Sequence, residues 1–182
     1  KVKPTHVIFT GSIENNNANS AKISGNGFEK VIEITENGNF SDTLKIDKEG
    51  YYSLLIGRES TPVYLIQGAN VGLTLNTKEF DESLVYTGDI AAENNYLAAK
   101  YLLSEKEMAF DKVYSLPEDK FIIELNKINS SYSDLLNSST EVAKGFIKNE
   151  TKELEYAHIN NIENYEEYYQ YLTKDTSFKA SE

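Results

Sequence analysis

GDIAAENNYLAAKYLL, residues 88 to 103, divides the chain into two kinds of sequence. Before it, glycines and turn dipeptides separate short runs in which apolar and polar residues alternate. After it, glycine nearly vanishes and apolar residues recur every three or four positions. A period of two sets alternate side chains on one face of a strand, whereas a period of 3.6 sets them along one stripe of a helix. The stretch therefore marks a passage from β to α structure, with a β-sandwich expected over residues 1–88 and a helical domain or connector over 89–182.

Upstream, Val7, Phe9 and Ile13 alternate with His6, Ile8 and Thr10, and a short run follows at 20–24. Asn26-Gly27 and Asn37-Gly38 each match the two-residue type I′ hairpin turn, which requires positive φ at both central residues. Between them Phe28, Lys30, Ile32 and Ile34 share a face, and beyond them Phe40, Leu44 and Ile46 share another, so an antiparallel meander is expected. YYSLLIG, PVYLIQ, VGLTL and SLVYTG continue the series, Pro62 standing where a strand loses little by lacking an N–H. About eight short strands with half-buried faces need a second layer, which favours a sandwich and an α+β fold overall.

Downstream, Asp89 is the expected N-cap of a first helix. Ser115–Glu118 and Ser138–Glu141 both fit the S-x-x-E capping box and precede periodic runs. The first run carries Phe121, Leu125, Ile128, Tyr132 and Leu135. The second carries Val142, Phe146, Leu154, Ile162, Tyr165, Tyr169 and Leu172, with Glu150 and His158 on the same stripe. Three helices are expected, the last about 30 residues long, a length that implies a partner or further chain to lean on.

Composition restricts the chemistry. The 182 residues carry a net charge of −11 and a hydrophobic share of 40%, with 13 tyrosines and 8 phenylalanines, enough for a substantial core. Both halves are acidic and Arg58 is the only arginine, so neither nucleic acid nor an anionic membrane surface finds a basic footprint. No stretch approaches the length of an apolar membrane span. With no cysteine the chain has no disulfide or thiol chemistry of its own. His6 and His158 come with no serine nucleophile elbow, and no metal-binding or nucleotide-binding motif is present, so no catalytic residue, metal or cofactor is expected. Asp81-Glu82 and Glu166-Glu167 are carboxylate pairs on paper, but neighbours in sequence point in different directions. In YEEYYQYL, residues 165 to 172, Tyr165 and Tyr169 fall on the helical stripe while Tyr168 and Tyr171 project off it. The four are candidates for an interface with another domain or subunit.

The order of short motifs carries a resemblance. G-x-I at 11–13, G-N-F at 38–40, G-Y-Y-S-L at 50–54, P-V-Y-L-x-x-G at 62–68, V-x-L-T-L at 71–75 and Y-T-G-D…E-N-N-Y-L from Tyr86 to Leu97 resemble the N-terminal region of TlpA-like envelope thiol-disulfide oxidoreductases. In that family a β-sandwich of unknown function and a helical segment precede a thioredoxin-like domain. The resemblance implies an accessory region, periplasmic or tethered by a lipid upstream, that positions or dimerises a thioredoxin-like domain of the same polypeptide. The C-x-x-C of the family is absent here, so no catalytic residue carries over. The other expectation is a stand-alone envelope lipoprotein whose sandwich binds a glycan or peptide through Tyr51, Tyr52, Tyr64 and Tyr86.

Overall fold

The computed structural model describes residues 5–181 and divides into two compact units between Tyr101 and Leu102. The first unit is a sandwich of two four-stranded sheets. One sheet has the order β4-β1-β7-β8, from β1 (Val7–Glu14), β4 (Asn39–Leu44), β7 (Asn70–Asn76) and β8 (Val85–Gly88). The other has the order β3-β2-β5-β6, from β2 (Ser20–Gly25), β3 (Phe28–Glu33), β5 (Gly50–Ile56) and β6 (Glu59–Leu65). The alternation read from the sequence holds: Phe9, Ile23, Ile32, Leu44, Leu54, Val63 and Leu73 meet in one core drawn from both sheets. Burying such side chains is the main favourable term in folding.

Two features depart from a simple meander. β1 pairs with β7 in parallel, Phe9 opposite Val71 and Ile13 opposite Leu75, while the other ladders are antiparallel. And β3 and β4 lie in different sheets. Asn26-Gly27 is the hairpin turn expected of it, with φ of 53° and 79°. Asn37-Gly38 is not, because only Gly38 has positive φ, at 78°. There Thr35 caps a corner instead: its carbonyl accepts from Gly38 N at 2.8 Å and its hydroxyl oxygen from Asn39 N at 3.1 Å, and the chain crosses between sheets.

Gly11 fills an inward position of β1 with no side chain. An added Cβ would lie 2.2 Å from the Phe40 ring, so the ring occupies the space the glycine leaves and stacks on Phe9 at 5.6 Å.

After the four-residue α1 (Phe80–Ser83), β8 leads into α2 (Ala91–Glu107). Asp89 does not cap this helix. Its carboxylate accepts from Asn70 N at 2.7 Å and Asn70 Nδ2 at 2.9 Å, tying the end of β8 to the start of β7. The double asparagine does the larger work at the handover. Asn94 Oδ1 accepts from Tyr64 N at 2.6 Å and its Nδ2 donates to Tyr64 O at 3.0 Å. Asn95 Oδ1 accepts from Tyr86 N at 2.8 Å and its Nδ2 donates to Tyr86 O at 2.9 Å. Tyr64 lies on edge strand β6 and Tyr86 on edge strand β8, so each amide acts as one more rung on a different sheet. That satisfies backbone groups which an open edge leaves unpaired.

The second unit holds α3 (Phe110–Val113), α4 (Glu118–Ser138), α5 (Lys144–Glu163) and α6 (Tyr165–Thr173). Neither S-x-x-E box forms. Ser115 Oγ donates back to Lys112 O at 3.3 Å, and Ser138 and Ser139 donate back to Leu135 O, so these hydroxyls end the preceding turn rather than begin the next helix. Pro117 and Ala143 precede α4 and α5 without a side-chain cap. The single long helix is in fact two, separated at Asn164, and Lys174 in the left-handed region closes α6. In α5, Ile162 is exposed and Asn161 turns inward in its place.

Candidate functional site

The helical unit is organised around aromatic side chains. Phe121 on α4 and Tyr165 on α6 are fully buried and stack at 4.1 Å with an interplanar angle of 18°. Tyr114 lies 5.4 Å from Phe121 and 4.8 Å from Tyr168, and Phe110 adds an edge contact to Tyr168 at 5.1 Å. Edge and offset contacts of this kind suit the ring quadrupole and strengthen a core beyond its buried area. The hydroxyls are placed as well: Tyr165 donates to Leu116 O at 2.7 Å and Tyr114 to Asn161 Oδ1 at 2.9 Å. Burial pushes the Tyr114 hydroxyl up to about 12, with Tyr168 adding to the effect. Burial likewise pushes Tyr165 up to about 12, helped by Tyr169, Glu118 and Asp119. Both phenols are held neutral.

Residues 175–181 fold back over this layer. Phe178 packs on Tyr169 at 4.3 Å and against the edge of Tyr165 at 5.7 Å, while Gln170 Nε2 donates to Phe178 O at 2.9 Å. Glu166 accepts from Lys179 Nζ at 2.6 Å and from Ala180 N at 3.1 Å. Those two contacts, Lys179 first, hold its carboxyl below the usual range. Glu118 accepts from Ser181 N at 2.8 Å and Ser181 Oγ at 3.1 Å, at the first residue of α4, where a carboxylate also suits the helix dipole. The segment is therefore fixed to α4 and α6 together.

Of the four tyrosines expected at an interface, Tyr165 is core, Tyr168 and Tyr169 are half-buried in the aromatic layer, and Tyr171 is 65% exposed. Sequence spacing alone gave no sign of the Phe178 contact or of the Glu166 and Glu118 anchors, which join residues brought together by the fold.

Of the tyrosines considered for stacking on a ligand, Tyr52 and Tyr86 are core side chains. Burial raises the Tyr86 hydroxyl, against a smaller lowering from Thr61. Tyr51 and Tyr64 pair across β5 and β6 on the other face, edge to face at 5.4 Å. An open cleft of about 820 Å³ lies between edge strands β3 and β4, crossed by Lys30 and Asp42 at 3.1 Å.

His6 is exposed beside Thr5, and His158 is half-buried on α5 in the helical unit. Glu166 is pulled toward the ionised form, the reverse of what a general acid needs. Among the described residues no cluster of three or more His, Cys, Asp or Glu is placed to hold a metal, and no helix is long and apolar enough to cross a membrane.

No family model matches the chain, and no curated protein matches it. Among solved structures it is similar to a DUF3823 family protein from Parabacteroides merdae, at 15% identity over 41% of this chain and 45% of that one, with a TM-score of 0.28. It is also similar to a proposed cell adhesion protein from Bacteroides ovatus, at 11% identity over 48% of this chain and 44% of that one, with a TM-score of 0.32. The chain thus spans less than half the length of these solved structures.

Proposed function

We propose that the chain is a non-catalytic accessory region that positions or dimerises a thioredoxin-like thiol-disulfide oxidoreductase domain of the same polypeptide in the bacterial cell envelope, periplasmic or lipid-anchored. The observation that carries this reading is the anchoring of residues 175–181: Phe178 in the aromatic layer, Lys179 and Ala180 on Glu166, and Ser181 on Glu118. A polypeptide continuing past Ser181 starts from a point held on the helical unit. Fixing a domain in this way cuts the conformational freedom that a flexible linker would leave it, and so raises the effective concentration of its reactive group near a bound substrate. Glu118, the carboxylate bonded to Ser181 itself, and Glu166, bonded to Lys179 and Ala180, are both occupied in holding the chain.

The test is to read the natural gene past the codon for Glu182 and assay its whole product for dithiol-dependent insulin reduction. The expected result is a downstream domain with C-x-x-C whose activity toward insulin survives removal of residues 1–182. A stop codon soon after Glu182, or a downstream domain of another chemistry, overturns the reading.

A further inference from the structure

Helix α5 has two faces. Phe146, Glu150 and Leu154 are buried, and His158 and Asn161 continue the same stripe half-buried. Half a turn away, at 100° per residue, lie Lys148, Lys152, Tyr156, Ile159 and Glu163, all exposed. Tyr156 is 65% exposed and Ile159 51%, so two large apolar side chains three residues apart occupy the middle of the outward face.

Glu153 and Glu155 stand exposed on the flanks of this face, and the charges at the two ends of the helix run against its dipole. Lys144, Lys148 and Lys152 stand in its N-terminal half and Glu163 at its end, with no acidic residue in the first turn and no basic residue in the last. Each end thus carries the sign that the helix dipole disfavours, and Lys148 and Lys152 repel across one turn. Among the described residues, none of Lys148, Lys152 and Glu163 takes part in an ion pair.

A second copy of the same helix, laid antiparallel, resolves all of these. A two-fold axis midway between Tyr156 and Ile159 sets each Tyr156 against the other copy's Ile159. The same axis sets each Lys152 against the other copy's Glu163, with Lys148 one turn away on the same carboxylate. The two dipoles then run head to tail. We propose that the outward face of α5 is a self-association surface, pairing with a second copy of this chain about that axis in the isologous manner of two-fold dimers. A single helix pair falls below about 1,200 Å² of buried surface, the range of weak and transient interfaces, so the dimer forms at high concentration and loosens with salt. This deepens the dimerising half of the reading above. Its test reads self-association of the chain itself rather than the gene or insulin reduction, so the two can fail separately.

The experiment is sedimentation equilibrium of the full chain from about 10 µM to about 1 mM, with circular dichroism to confirm that each variant keeps its helix content. Association is expected to weaken at least tenfold for K152E, for E163K and for I159D. It should recover in the K152E/E163K double variant. An equimolar mixture of K152E with E163K should associate at least tenfold more tightly than either alone, because each reversed charge meets its complement in the other protein. A chain that stays monomeric across the range overturns the proposal, as expected if another protein covers this face. Association that ignores the charge reversals, or that fails to recover in the double variant, overturns it too.

Discussion

Asn94 and Asn95 are neighbours on α2, yet they hold the edges of different sheets, Asn94 closing on the backbone of Tyr64 and Asn95 on that of Tyr86. Adjacent helix positions point about 100° apart, which is how two identical side chains reach two strands. Asn94 is fully buried, and its Nδ2 also donates to Ile90 O at 3.1 Å, fixing the first turn of the helix.

Asn94→Ala leaves the Tyr64 N–H and C=O without their partner and is expected to cost about 2–3 kcal/mol. Amide exchange reads this residue by residue. Exchange at Tyr64 should accelerate in N94A and exchange at Tyr86 in N95A. A uniform acceleration in both variants would contradict separate anchoring.

Gly11→Ala drives a methyl into the Phe40 ring and is expected to destabilise the sandwich by about 1–3 kcal/mol, the usual cost of overpacking a filled core. Adding F40L to G11A should restore part of the loss in thermal denaturation. No recovery would place the strain in the backbone instead.

The buried phenols set an alkaline limit. Tyr114 and Tyr165 titrate near 12 when folded and near the ordinary value of 10 when unfolded. Their contribution is complete below pH 10 and is lost as the pH rises from about 10 to about 12, because the unfolded chain releases its protons first. Helical circular dichroism in mid-range urea should fall over that window and stay flat from pH 7 to 9. Y165F should shallow the fall while costing about 1 kcal/mol at neutral pH through loss of the bond to Leu116.

Phe178→Ala removes the side chain that seats residues 175–181 and should expose that segment to proteolysis while α4 and α5 stay resistant. Cleavage at an unchanged rate would show that Glu166 and Glu118 hold the segment without the ring.

The strands were legible because alternation is local: Val71, Leu73 and Leu75 face inward as their spacing requires. Asn26-Gly27 was legible because both residues accept positive φ. The parallel pairing of β1 with β7 was not, since it joins Phe9 to Val71, far apart in sequence, with no short-range signature. The capping boxes misled because a serine hydroxyl satisfies a preceding carbonyl as readily as a following amide, as Ser115 and Ser138 do. The double asparagine was visible as the place where the period changes. Its action was hidden, because each amide bonds to a backbone that only the folded sandwich presents. The same holds for Phe178, whose partners are set by the turn at Lys174.

The most direct test of the proposed positioning role is the rotational correlation time of the proposed thioredoxin-like domain in the whole natural polypeptide, measured by NMR relaxation beside that of the helical unit. A thioredoxin-like domain that tumbles with the helical unit, and is released to faster motion by F178A, is the predicted result. Independent tumbling in the native protein, unchanged by F178A, would contradict it.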